Sequence, residues 1–192
     1  MKLLHIESSV LGEHSVTRQL GSAIVARWKA DVRGLEVQAR DLDREPLPHL
    51  DGGTLSGANE LEAARGEAVL RQFLDADVVV IGAPMYNFGI PSSLKAWIDR
   101  IAVNGKTFRY TESGPVGLAG GKQVILALAA GGLHGGQSTD FVEPYLRQVL
   151  GFIGISDIRV VRADGIGLSP EHRAASIAQA LERVAEPVPV AA

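Results

Sequence analysis

Four β-branched residues in a row, Val78-Val79-Val80-Ile81, limit what this chain can fold into. A strand with one wetted face alternates apolar with polar residues. A strand that is apolar at every position is covered on both sides, as in a parallel sheet with helices packed over it. Parallel strands need long crossovers between them, and the flanking sequence supplies these. Short β-rich segments are expected at Lys2–Glu7, Leu35–Ala39, Val78–Ile81, Gln123–Leu128 and about Asp157–Val161, with helical patterns between most of them. Such alternation implies an α/β fold with a five-stranded parallel sheet covered on both sides.

The helical patterns are specific. Val16, Leu20, Ile24 and Trp28 recur every four residues, so a helix is expected from about Ser15 to Lys29. A second helix runs from about Glu60 to Leu74. Pro91 suits a first helical position, ahead of inward-facing Leu94, Trp97, Ile98 and Ile101. Val142, Tyr145, Leu146, Val149 and Leu150 mark a helix from about Thr139 to Ile153. Ser169-Pro170-Glu171 reads as cap, first residue and dipole-matched acid ahead of Ile177, Leu181 and Val184. The second strand is less apolar and belongs nearer an edge. Asp41–Asn59, rich in Pro and Gly, reads as loop. Between residues 106 and 120, Phe108 and Tyr110 alternate with polar residues before Gly-Pro, which predicts a small strand or hairpin outside the main alternation. One domain is expected over residues 1–186, with 187–192 a frayed tail.

Totals exclude several functions. The chain has 192 residues, a formal net charge of -3 and no cysteine, so disulfides, thiolate nucleophiles and zinc–thiolate sites are out. The mild negative charge disfavours a general nucleic-acid or anionic-membrane surface. The five histidines fall singly, at 5, 14, 49, 134 and 172, without metal-ligand spacing. His5 and Glu7 interrupt the apolar run at the N-terminus, and no stretch approaches a membrane-spanning helix, so a cytoplasmic protein is expected. Gly105-Lys106-Thr107 lacks the upstream glycine of a triphosphatase phosphate loop. Neither G-x-G-x-x-G nor G-x-S-x-G is present where a dinucleotide site or a serine hydrolase would need it.

In open parallel sheets ligands bind beyond the carboxyl ends of the strands, where the topology switches direction. Three loops should therefore share a rim. After the first strand, Ser9, Ser15 and Thr17 stand beside a helix N-terminus, whose unpaired N–H groups can hold a phosphate; alternatively Ser15 only caps the helix. After the third, Pro84-Met85-Tyr86-Asn87-Phe88-Gly89 offers two rings and an amide to a flat heteroaromatic, or else covers the core. Gly89 would permit close backbone approach. After the fourth, Ala129-Ala130-Gly131-Gly132-Leu133-His134 could aim N–H groups at an electron-rich edge or be a flexible turn. His134 is a candidate proton donor or substrate contact, or a plain surface residue.

At these residues, and in "GKTFRYTESGPVGL" and "STDFVEPYLRQVLGFIGISDI", the chain resembles the FMN-dependent NADH-azoreductases, relatives of the flavodoxin-like NAD(P)H:quinone reductases. The resemblance covers nearly the whole chain. It implies a doubly wound flavodoxin-like sheet of order 2-1-3-4-5 and a cytoplasmic homodimer with one FMN per subunit near the interface. It places Ser9, Ser15, Val16 and Thr17 at the FMN phosphate. Met85, Tyr86, Asn87 and Phe88 match the segment along the isoalloxazine, and Ala129, Ala130, Gly131 and Gly132 occupy a Ser-Arg-Gly-Gly-like loop. Here the Ser and Arg types are both Ala, so only the Gly131-Gly132 backbone contacts transfer directly. The resemblance also makes the 106–120 excursion a flap near the site and the partner subunit. The activity implied is a ping-pong flavoprotein oxidoreductase that carries two-electron hydride transfer from NADH, or NADPH, to quinones or aromatic azo compounds. Two rivals differ in class: a single-electron carrier, which would need a reductase, and a nucleotide-binding module without turnover.

Overall fold

The computed structural model describes residues 1–184. In chain order the elements are β1 (Lys2–Glu7), α1 (Val16–Asp31), β2 (Glu36–Asp41), α2 (Gly52–Ser56), α3 (Glu60–Asp75), β3 (Val78–Pro84) and α4 (Ser92–Ile101). There follow β4 (Phe108–Thr111), β5 (Gly114–Gly117), β6 (Gln123–Ala130), α5 (Val142–Phe152), β7 (Asp157–Asp164) and α6 (Pro170–Val184). Five strands form a parallel sheet of order β2-β1-β3-β6-β7. Counting only these strands, that is 2-1-3-4-5. Every residue of central β3 is buried, while edge strand β2 is half exposed.

Alternation along the strands sorts the apolar residues into two clusters. Leu4, Ile6, Val79, Ile81, Val124 and Leu126 pack with Phe73, Leu94, Trp97 and Leu146 of α3, α4 and α5. Their sequence neighbours Leu3, Val78, Val80, Ile125 and Ala127 pack with Leu20, Ile24 and Trp28 of α1 and Ala180 of α6. Trp97, fully buried, meets Phe73 edge-on at 5.8 Å. Truncating such a ring costs about 3–5 kcal/mol.

The boundaries depart from expectation in informative places. β3 continues through Gly82, Ala83 and Pro84, because these pair with Ala127, Leu128 and Ala129 of β6. Their residue types have low β-propensity, and sheet partners override it. Pro91 takes an extended ψ of 141°, so it precedes α4 instead of opening it. α5 starts at Val142, where the Asp140 carboxylate accepts the N–H groups of Val142 and Glu143, each at 3.2 Å. The expected loop 41–59 contains the short helix α2, closed by Asp51 accepting the Thr54 N–H at 2.7 Å. β4 and β5 form the antiparallel hairpin. Phe108 packs at a tilt against Phe152, ring centres 4.5 Å apart, whereas Tyr110 stays 70% exposed. Positions 187–192, expected to fray, lie outside the described residues. Among those described, no helix is long and apolar enough to cross a membrane.

Candidate functional site

Because β1, β3 and β6 are parallel neighbours, the loops after them leave from one rim. The β1–α1 loop carries unusually buried hydroxyls. Ser9 and Thr17 have no exposed surface, and Ser15 is nearly as enclosed. Ser15 Oγ accepts the Arg18 N–H at 3.2 Å, which is the expected cap, and lies 3.0 Å from Thr17 Oγ1. Among the described residues the N–H groups of Val16 and Thr17 donate to no protein acceptor. Unpaired donors at the positive end of a helix, with hydroxyls alongside, are an anion trap. His5 Nε2 lies 2.8 Å from Glu7 Oε1 on the adjoining stretch of β1, both nearly buried.

One guanidinium holds this loop. Arg18 donates to both carboxylate oxygens of Asp41 at 2.6 and 2.8 Å, and to the Ser9 carbonyl at 2.9 Å. Asp41 sits at the end of β2, so the bond ties the loop to the sheet edge. The hydrogen bond from Arg18 holds the Asp41 carboxyl below its ordinary 3.8.

The β3–α4 loop turns at Tyr86–Gly89, closed by reciprocal bonds of 2.9 and 3.0 Å between those two residues. Its central residues, Asn87 and Phe88, have φ of 50° and 67°. Neither is glycine, and left-handed backbone costs each about 1–3 kcal/mol. Retained strain of that kind clusters at ligand clamps. Gly89 is not left-handed, and a Cβ there would meet only Tyr86 O at 3.8 Å. The special backbone therefore sits one and two residues earlier than the sequence suggests.

The three loops are joined. Tyr86 Oη lies 3.1 Å from Ser9 Oγ and accepts the Val10 N–H at 3.2 Å, bracing the β3 loop against the β1 loop. The Met85 N–H donates to Ala129 O at 2.8 Å, and the Phe88 and His134 rings meet edge-on at 5.6 Å. Ser9 thus connects through Tyr86 to Met85–Phe88, and these to Ala129 and His134, while Ser15, with Thr17 beside it, joins Ser9 through Arg18.

Ala129 and Ala130 belong to β6 itself and are buried, paired with Ala163 and Asp164. Small side chains fit there, and these two residues reach the rim through backbone alone. The bend beyond them is gripped on its carbonyl side: Ile166, Gly167 and Gly165 donate to the carbonyls of Ala130, Gly131 and Gly132 at 3.1, 3.0 and 2.8 Å. Among the described residues, the N–H groups of Gly131 and Gly132 have no protein acceptor. A Cβ on Gly132 would lie 2.8 Å from His134 Nε2, so a side chain there would push the imidazole from its place. His134 Nδ1 is 2.8 Å from Thr139 Oγ1.

Sequence reasoning passed over Arg18, Asp41, Arg162 and Asp164. A signal existed for the last pair: Arg162 and Asp164 stand two apart at the carboxyl end of β7, hence on one face. Arg162 contacts Asp140, Glu143 and Asp164. Burial works against its charge, but the three carboxylates outweigh this and hold it above its ordinary value. Several apolar side chains stay exposed in the rim loops, among them Val10, Leu11, Phe88, Leu133, Phe141 and Leu168. Among the described residues no cluster of three or more His, Cys, Asp or Glu could hold a metal.

A family model described as a flavodoxin-like fold matches residues 1–188. The chain is 60% identical over 186 residues to "FMN-dependent NADH:quinone oxidoreductase 1" of Xanthomonas euvesicatoria pv. vesicatoria, covering 97% of this chain and 96% of that protein. It is 55% identical over 196 residues to "FMN-dependent NADH:quinone oxidoreductase 2" of Pseudomonas aeruginosa, covering 96% and 97%. Among solved structures it resembles an azoreductase from Bacillus anthracis str. Sterne, with TM-score 0.88, 31% identity and 97% of each chain covered. It also resembles an FMN-dependent NADH-azoreductase from Bacillus anthracis str. Ames Ancestor in complex with FMN, with TM-score 0.84, 27% identity, and 95% and 97% covered.

Proposed function

The chain belongs to the flavodoxin-like fold family, and from that premise we propose that it is an FMN-dependent NAD(P)H oxidoreductase reducing quinones and aromatic azo compounds. The observation that carries this reading is the linkage of three rim loops with unpaired N–H groups at both ends, Val16 and Thr17 on one side and Gly131 and Gly132 on the other. A phosphorylated planar ligand with an electron-rich far edge matches both donor pairs.

The fit is specific by residue. Val16 and Thr17 N–H, with the hydroxyls of Ser9, Ser15 and Thr17, would hold the phosphate without a cationic side chain. Met85, Tyr86, Asn87 and Phe88 would line the ring. Through their backbone, Ala129, Ala130, Gly131 and Gly132 would close its pyrimidine edge, where two N–H donors stabilise negative charge. Bound FMN would supply the two-electron redox chemistry, and the protein binding, orientation and electrostatics. With Nδ1 occupied by Thr139, His134 is left Nε2 as the atom at which to hold or pass a proton.

The exposed apolar residues at the rim and Tyr110 on the hairpin support two further parts of the reading. NADH and then the acceptor occupy one open face in turn, a ping-pong order, and a second copy of the chain covers part of that surface in a homodimer. The two alternating clusters support a doubly wound sheet with helices on both faces within one domain, and the absence of cysteine fits a cytoplasmic protein.

A visible spectrum of the purified protein with FMN, before and after anaerobic NADH, tests the function. Bleaching of the flavin band by NADH alone, reversed by a quinone, is expected. A flavin that NADH cannot reduce would make the protein a carrier, and no FMN uptake would make it neither.

A further inference from the structure

Arg162 lies on β7, the sheet edge away from the hydroxyl-lined loop, and its side chain is only 14% exposed. A guanidinium so enclosed must find hydrogen-bond partners or destabilise the fold. Its partners are carboxylates from two directions. One terminal nitrogen donates to Asp140 at 2.6 Å, just before α5, and to Glu143 at 2.8 Å, in its first turn. The other reaches Asp164 Oδ2 at 3.3 Å. The same Asp164 oxygen accepts the backbone N–H groups of Gly135 at 2.6 Å and His134 at 3.1 Å.

The consequence is geometric. The bend after β6 begins at Gly131 and ends at Asp140, and one planar cation grips it at two points, through Asp164 near the middle and Asp140 at the close. A Cβ on Gly135 would come within 2.9 Å of Arg162 Cδ and 3.1 Å of Asp164 Oδ2, so the loop backbone lies directly against the pair. Just beyond Asp164, residues 165–167 hold the loop's carbonyls. The Gly131 and Gly132 N–H groups, like those of Leu133, Gly136, Ser138 and Thr139, have no acceptor among the described residues, but only the first two lie in the stretch whose carbonyls residues 165–167 hold.

We propose that Arg162, acting through Asp164, is a positioning residue that holds the Gly131–Gly135 bend and His134 in the arrangement that keeps those donors free. The inference rests on the flavin reading and assigns the β7 edge to the same site. Lysine cannot substitute fully, because a single ammonium lacks the planar fork that spans three carboxylates. Donors aimed at developing negative charge favour the reduced ring over the oxidised one. Loosening the clamp therefore weakens binding of reduced FMN more than of oxidised FMN.

Asp164→Ala cuts the grip on the middle of the loop while leaving Arg162 its partners Asp140, just before α5, and Glu143, on it. Two measurements decide. In the protein without flavin, the amides of Gly165, Ile166 and Gly167, which donate to the loop carbonyls, should exchange at least about tenfold faster, with α5 amides unchanged. In the protein loaded with FMN, reduced flavin should lose about tenfold in binding relative to oxidised flavin, a midpoint potential about 30 mV more negative for a two-electron couple. Arg162→Lys should fall between wild type and Asp164→Ala in both, and the same measurements on that variant decide if Asp164→Ala does not fold. Wild-type exchange and potential in the variants, or faster exchange spread equally over α5 and β7, would overturn the proposal. Wild-type protein that takes up no FMN would instead sink the flavin reading, and the exchange measurement would still judge the clamp.

Discussion

At the β2 edge of the sheet, Arg18 reaches out from α1 to Asp41; at the β7 edge, Arg162 reaches across to α5 and to Asp164. Each is an arginine–carboxylate clamp beside a rim loop that leaves N–H groups unpaired, but the two loops demand different things. Beyond β1 the donors belong to a helix N-terminus, which aims them by its own regular backbone. There the clamp needs only one carboxylate and one carbonyl. Beyond β6 the donors belong to an irregular glycine bend with no such built-in direction. There the clamp uses three carboxylates, and residues 165–167 add a second grip on the carbonyl side. Irregular backbone that must present donors is held by more bonds than a helix end that presents them by nature.

The sharpest way to break this contrast is at the helix end. Ser9→Ala combined with Thr17→Val should weaken FMN binding by more than about 100-fold, since bonds to a charged group are worth about 1.5–3 kcal/mol each. Riboflavin, which lacks the phosphate and feels only the lost Ser9–Tyr86 brace, should lose much less in a fluorescence titration. Equal losses for the two ligands would place the phosphate elsewhere. Arg18→Met should cost less, about tenfold in FMN affinity, because the helix still aims Val16 and Thr17 without it.

Strain distinguishes the loop between the two clamps. Asn87→Gly removes one left-handed non-glycine residue and should stabilise the fold by up to about 1 kcal/mol in chemical denaturation. NADH turnover should fall at the same time, because the amide is lost; a gain in stability with unchanged turnover would separate the strain from function.

Acid should loosen the β2 clamp. Asp41 titrates below its ordinary 3.8 because Arg18 bonds to its charged form. Its stabilising contribution is complete above the ordinary value and is lost as pH falls through the lowered one. Glu143 is depressed from its ordinary 4.5 in the same direction: burial opposes the shift, and Arg147 and Arg162 overcome it. Stability should therefore decline on acidification below about pH 4, and Asp41→Asn should flatten that slope. Smallest of all, Gly89→Ala should change stability by no more than about 0.5 kcal/mol, since the added methyl meets ordinary contacts.

Much of this architecture was legible in the residues. The β-branched run at Val78 located the central strand, and the four-residue spacing from Val16 to Trp28 located α1, because burial writes its period into apolar residues. The hydroxyls at Ser9, Ser15 and Thr17 could be assigned to one rim for the same reason. What escaped were features set by partners distant in sequence. Gly82–Pro84 are strand because β6 lies beside them. Tyr86, read as offering its ring to a ligand or covering the core, also bonds through its hydroxyl to the β1 loop. The left-handed pair at Asn87 and Phe88 carries no glycine to announce it. Arg18 and Arg162 were passed over, because a single chain position does not reveal which carboxylate another strand will bring to it.

Amide shifts of the protein titrated with FMN test the central claim most directly. Val16 and Thr17, Asn87 and Phe88, and Gly131 and Gly132 should all move together and saturate at one equivalent per chain, while riboflavin should leave the first pair in place. Shifts confined to a single loop, or pairs that saturate at different ligand ratios, would contradict a shared site.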